Sequence, residues 1–103
     1  MIKNILGNNS FFMVNKRIVQ LKSFEAAVFL AILADATDIF EGEWVYQTEP
    51  TVTTLSEGFL TRRKQTSAIK QLEELGVIEK KNMGIPCKRH FRVNNDKLLE
   101  LLK

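Results

Sequence analysis

Thr61-Arg62-Arg63-Lys64-Gln65-Thr66-Ser67-Ala68-Ile69-Lys70-Gln71-Leu72-Glu73-Glu74-Leu75-Gly76 reads as one helix with both of its punctuation marks. Thr61 has the hydroxyl that an N-cap needs, Ala68, Ile69, Leu72 and Leu75 recur at a helical period, and Gly76 suits the left-handed stop. Stepping about 100° per residue from Ile69 gathers Gln65, Ala68, Leu72 and Leu75 on one side. Arg63, Thr66, Ser67, Lys70 and Glu74 fall opposite. The inner face is apolar apart from Gln65, and the outer face is rich in hydrogen-bond donors. Beyond Gly76 the residue types predict a β-hairpin: a strand over Val77 to Lys81, a turn at Asn82-Met83-Gly84-Ile85-Pro86, and a return strand over Lys88 to Val93. Alternation directs Phe91 and Val93 inward and Lys88, His90 and Arg92 to the other face.

Charge is concentrated in this same stretch. Between Thr61 and Arg92 nine cations stand against three acids, a balance of +6, while the rest of the chain carries six cations and nine acids, or −3. A basic third beside an acidic remainder presents a localised positive surface, which attracts phosphate backbones and releases their condensed counterions on binding. The plainer account of the same charges is surface solubility.

Working outward, Ser23 is a good N-cap with Glu25 in the first turn, and Phe24 to Ala34 is apolar nearly all round, so this helix belongs in the centre of the fold. Asp35 and Asp38 mark its expected end, and Glu41-Gly42 a turn. Trp44-Val45-Tyr46 has the residue types of a short strand. Thr48 and Pro50 open a further helix, with Val52, Leu55 and Phe59 as its apolar positions and Gly58 as its end. Three threonines make that helix dependent on packing. Towards the N-terminus, Gly7-Asn8-Asn9 reads as a flexible lead-in and Phe11-Phe12-Met13-Val14 as a strand or arm, with Asn15 capping a brief turn through Ile18 and Val19. At the other end, Asn94 or Asn95 caps a helix from Asp96 to Leu102.

The sequence of elements predicts an α+β, mainly α fold, a winged helix-turn-helix: a three-helix core with a small antiparallel sheet forming a wing, plus a short C-terminal helix. Residues 1–20 are expected as an N-terminal arm or short element, 21–95 as the winged-helix domain and 96–103 as the C-terminal helix. At Thr61–Gln65, Ala68–Ile78 and Gly84–Asn94 the chain resembles the N-terminal winged-helix domains of phage and plasmid replication-initiation proteins and of DnaD-like replication proteins. The resemblance implies sequence-specific binding to double-stranded DNA through a recognition helix at 61–75 and a basic wing at 77–93. It also implies a role in replication initiation or transcriptional control, with a replication-machinery protein as a further partner.

Arg62, Arg63, Thr66, Ser67 and Lys70 are the candidate DNA contacts on the helix. The second helix of a helix-turn-helix enters the major groove by its N-terminal residues, where Arg pairs with guanine and Ser or Thr bonds bases or phosphates. On the hairpin the candidates are Lys81, Lys88, Arg89 and Arg92, which could grip phosphates or protect a sheet edge. Glu73-Glu74 would repel phosphates, leaving only the N-terminal half of the helix to approach DNA. Trp44 and Tyr46 could stack on bases, although a Trp on a short strand between helices is more often core. The alternative readings are a winged-helix protein-interaction module that does not bind DNA and a nonspecific RNA or single-strand binder. Leu98, Leu99, Leu101 and Leu102 are too many for one narrow stripe, so a homodimer through the C-terminal helix is expected.

Enzyme chemistry has almost no support. Cys87 and His90 are the only residues of their types. They supply neither a set of metal ligands nor a nucleophile with its base, and the sequence contains no phosphate-binding glycine loop. No cofactor is expected. The lone cysteine, the short apolar run at Met1 to Ser10 and the absence of an apolar stretch near about 18 residues lead to the expectation of a cytoplasmic protein.

Overall fold

The computed structural model describes residues 14–40, 44–84 and 88–102, without the side chains of 38–40. The expected arm before Val14, the turn at Glu41-Gly42 and the hairpin tip at Ile85-Pro86-Cys87 lie outside the described residues. Among the described residues, five helices and three strands are arranged in the order α1 (Lys16–Leu21), α2 (Phe24–Phe40), β1 (Val45–Tyr46), α3 (Glu49–Leu55), α4 (Arg62–Leu75), β2 (Ile78–Met83), β3 (Lys88–Val93) and α5 (Asn95–Leu102). The fold is α+β and mainly helical, with one antiparallel sheet of order β1-β3-β2. None of the described helices is long and apolar enough to cross a membrane.

Capping residues set most of the helix starts. Asn15 accepts hydrogen bonds from the amides of Arg17 and Ile18, Ser23 Oγ from Ala26, Thr48 Oγ1 from Thr51, Thr61 Oγ1 from Lys64 and Asn94 Oδ1 from Lys97. Each satisfies one or two of the amides that a first turn leaves without a partner. Gly76 ends α4 in the left-handed region at φ 77°. The chain then enters β2 within two residues, so helix and hairpin are directly joined.

α2 is the central element. Ala26 through Leu33 are all buried, and the helix packs against α1, α3, α4, β1 and β3. It runs to Phe40, just past the end expected at Asp35 and Asp38; Ala36 continues the buried stripe and Thr37 Oγ1 bonds back to the Leu33 carbonyl at 2.8 Å. The inner face of the sheet closes the core. Phe91 is fully buried and meets Phe29 edge-to-face at 5.3 Å. Such a ring pair is worth about 0.5–1.5 kcal/mol beyond its area. α1 belongs to the same core, since Ile18 is fully buried.

α3 is shorter than its apolar spacing implies. It ends at Leu55, which points outward, and Leu60 rather than Phe59 fills the core below the turn. The chain reverses through two left-handed residues, Glu57 at φ 54° and Gly58 at φ 82°. Ser56 fastens this turn by donating to the Thr53 carbonyl and accepting from the Leu60 amide at 2.8 Å. The result is a helix–turn–helix pair, α3 followed by α4.

Candidate nucleic-acid interface

α4 buries Gln65, Ala68, Ile69 and Leu72 and leaves Arg62, Arg63, Thr66 and Lys70 exposed. These four, with Ser67 at the rim, line one shallow open hollow along the first half of the helix. Arg62 makes a loose 3.5 Å ion pair with Glu49. No salt bridge engages Arg63 or Lys70 among the described residues. Thr66 bonds back to the Arg62 carbonyl at 3.0 Å.

Two residues expected on this outer face turn elsewhere. Ser67 is half-buried, accepts from Gln71 Nε2 at 2.7 Å and donates to Glu25 Oε1 at 3.4 Å, because the first turn of α2 lies against that edge of α4. Glu74 reaches Lys22 at 2.9 Å. That hydrogen bond, then the Lys22 charge, hold the Glu74 carboxyl below its usual value. A depressed carboxylate keeps such a contact at neutral pH and loses it as pH falls through the folded value. Glu74 therefore repels an approaching phosphate less than the sequence suggests.

The polar residue on the inner face of α4 is the joint of the molecule. Gln65 is fully buried, and its Nε2 faces the carbonyls of Glu49 and Leu60, both at 3.0 Å, and Thr53 Oγ1 at 2.9 Å. Its Oε1 accepts from Arg89 at 2.9 Å. Arg89 also donates from Nε to the Gln47 carbonyl at 2.8 Å. One amide thus connects α3, the turn, α4 and, through Arg89, β3 and the end of β1. Instead of reaching outward from the hairpin, as a phosphate contact would, Arg89 lies two residues from the buried Phe91 and shares its inward face. Burial pushes the guanidinium below its ordinary value, with the Glu49 charge opposing.

Lys81, Lys88 and Arg92 occupy the opposite, outer face of the sheet, together with the aromatic rings. Trp44 is half-buried there rather than in the core: Arg92 lies 4.8 Å and the Lys81 ammonium 5.7 Å from its ring. Tyr46 stacks on His90 at 5.3 Å, and Lys88 lies 5.4 Å from the Tyr46 ring. Arg92 also holds Glu79 through two contacts of 2.9 and 2.8 Å. Lys64, beside the cap of α4, sits 4.2 Å over Phe59.

The candidate residues therefore form two groups and one exception. Arg62, Arg63, Thr66, Ser67 and Lys70 share the edge of α4, while Lys81, Lys88 and Arg92 share the outer sheet face. Arg89 is half-buried on the inward side of the hairpin, bonded to Gln65. Sequence reasoning marks Gln65 as the lone polar residue of an apolar stripe but gives it no role, and it does not single out Gln47. Among the described residues, no three His, Cys, Asp or Glu side chains converge to hold a metal ion. No family model matches the chain, and no curated protein matches it either.

Proposed function

We propose that this chain is a winged helix-turn-helix module that binds double-stranded DNA, with the first half of α4 in the major groove and the β2–β3 hairpin as a wing along the backbone. The observation that carries this reading is the exposure of Arg62, Arg63, Thr66 and Lys70 on the N-terminal half of the second helix of a helix–turn–helix pair. That part of such a helix is where base edges are read. The charge balance of the stretch agrees with it, and so does the pairing of Glu74 with Lys22. Replication initiation or transcriptional control of a phage or plasmid is the setting that the sequence resemblance suggests.

On this reading Arg62, Lys64, Lys70, Lys81 and Lys88 meet phosphates, while Arg63 reads bases. Neutralising about five phosphates gives a log–log salt dependence of roughly −4 to −5. Anisotropy titrations with a labelled duplex, from low to moderate salt, should return that slope. Absence of binding to any duplex at low salt would overturn the reading.

A homodimer is the second part of the proposal. In α5 Leu98 and Leu101 pack against the core, while Leu99 is 65% and Leu102 37% exposed. Pairing about a two-fold axis would cover both leucines and set two copies of α4 roughly 34–36 Å apart, one turn of duplex. Sedimentation equilibrium should find a dimer at tens of micromolar that dissociates in Leu99→Glu/Leu102→Glu. A wild type that stays monomeric rules it out.

A further inference from the structure

The outer face of the sheet carries more aromatic surface than solubility or edge protection requires. Pairing places Tyr46 opposite His90 and His90 opposite Lys81, so one row crosses all three strands. Glu79 and Arg92 pair in the next row, where Trp44 stands two residues before Tyr46 on the same face. Two residues along a strand is about 6.6 Å, so the indole and the phenol succeed one another as neighbouring steps. Tyr46 is 46% exposed, and Trp44 and His90 are half-exposed.

Cations surround these rings. Lys88 lies over the Tyr46 ring at 5.4 Å, and Lys81 and Arg92 lie over the Trp44 ring at 5.7 and 4.8 Å, so a base that stacks there moves these cations to the ring edges. Glu79 is the acid of this face, and its charge is matched by the two-contact grip of Arg92. At the far edge a hollow lined by Tyr46, Thr48, Glu49, Lys88 and Arg89 adds one more acid, Glu49, which faces Arg62. Flat π surfaces in sequence with lysines beside them suit a ligand that offers stacking faces and a negative backbone together. An unpaired nucleic-acid strand does so; a duplex hides its base faces, and an apolar protein partner would leave the lysines without counter-charge. None of these residues belongs to α4.

We propose that Trp44, Tyr46 and His90, flanked by Lys81 and Lys88, form a stacking platform for single-stranded DNA whose rings are distinct from the duplex-reading face of α4, while its two lysines are shared with the wing's contact to duplex backbone. Bases lie on the indole and phenol rings while the lysines track the phosphates. The choice of DNA over RNA rests on the duplex-binding reading of α4, next to which an opened strand would become available; the platform itself does not depend on it.

Trp44 is the only tryptophan, so its emission reports on the site directly. Titrating the full chain with a twelve-residue oligothymidylate should quench that emission in step with anisotropy of the labelled strand. Tyr46→Ala should weaken strand binding by about ten- to one-hundred-fold, as loss of one stacked base predicts. Its affinity for duplex should stay within about twofold. Lys88→Gln, a change on an exposed side chain, should weaken strand binding by a smaller factor and lower its salt dependence, and it provides a second test should Tyr46→Ala melt early. Unchanged emission at saturating strand, or strand binding lost in Arg63→Ala and kept in Tyr46→Ala, would overturn the platform. Tighter binding of oligouridylate than of oligothymidylate would overturn the assignment to DNA. Intact strand binding with no duplex binding would overturn the α4 reading and leave the platform standing.

Discussion

Gln65→Ala is expected to remove about 3 kcal/mol of folding stability, a fall of about 12–24 °C in melting temperature for a domain of this size. The reason is local accounting of hydrogen bonds in a dry site. Gln65 is fully buried, and its amide serves the Glu49 and Leu60 carbonyls, Thr53 Oγ1 and the Arg89 guanidinium. Alanine removes one bond from each of those groups, although the Leu60 carbonyl keeps Thr53 Oγ1 and Arg89 keeps the Gln47 carbonyl, and it opens a space where the side chain stood. An unmatched buried polar group costs about 1–3 kcal/mol, more when it is charged. Gln65→Leu fills the space without restoring the bonds, so it should recover only a minor part. Arg89→Ala should cost about 2 kcal/mol on the same grounds, from its two hydrogen bonds. Because both residues share one contact, the double variant should lose less than the sum of the singles by about 1 kcal/mol. Urea unfolding of the wild type and these four variants measures all these quantities. A shift below about 0.5 kcal/mol for Gln65→Ala, within the range of an ordinary surface change, would mean that the amide does not hold the joint.

Arg63→Ala is expected to weaken binding to a preferred duplex by about 1–3 kcal/mol, or roughly 5- to 150-fold, and to relax the choice of base at one position. Arg63 is exposed on the first turn of α4, beside Thr66 and Lys70, and no described salt bridge competes for it. A guanidinium so placed is available for the paired acceptors of guanine. Lys88→Ala is the control, since a cation on the sheet face that meets only phosphate should weaken all duplexes about equally and reduce the salt slope by about one. Sites recovered from random duplexes supply the preferred sequence, and competition against scrambled DNA separates the two effects. Equal losses for Arg63→Ala on preferred and scrambled DNA would mean that α4 does not read bases.

The features legible in the sequence are local ones. Thr48, Thr61 and Gly76 act on amides and dihedrals within a few residues, so their roles can be read from residue type and spacing alone. The buried stripe Ala68, Ile69 and Leu72 is visible for the same reason. The departures depend on partners that are distant along the chain. Arg89 finds Gln65 at a separation of 24 residues and Gln47 at 42, which no periodicity encodes. A helical wheel assigns Ser67 to solvent because it does not know that Glu25 approaches that edge. Hydrophobic bulk favours a core place for Trp44, yet the inner places of the sheet are taken by Val45 and Phe91, and its ring lies outside with Arg92. Leu55 loses its expected contact because α3 ends there and Leu60 fills the space.

The hairpin is fastened to α4 at two separated points, the covalent link through Gly76 and the amide–guanidinium bond from Gln65 to Arg89. One attachment would be a pivot; two make a bracket. On the proposed reading, the span between α4 and the wing is then a fixed length that DNA must match, so a duplex whose grooves are too wide or too narrow has to bend to fit. Bending has an energy that depends on base sequence even where nothing touches the bases. Cutting the second fastening with Gln65→Leu would turn the bracket back into a pivot. Such a protein should tolerate duplexes of differing groove width while still choosing bases through Arg63, a separation of shape from letter within one small domain.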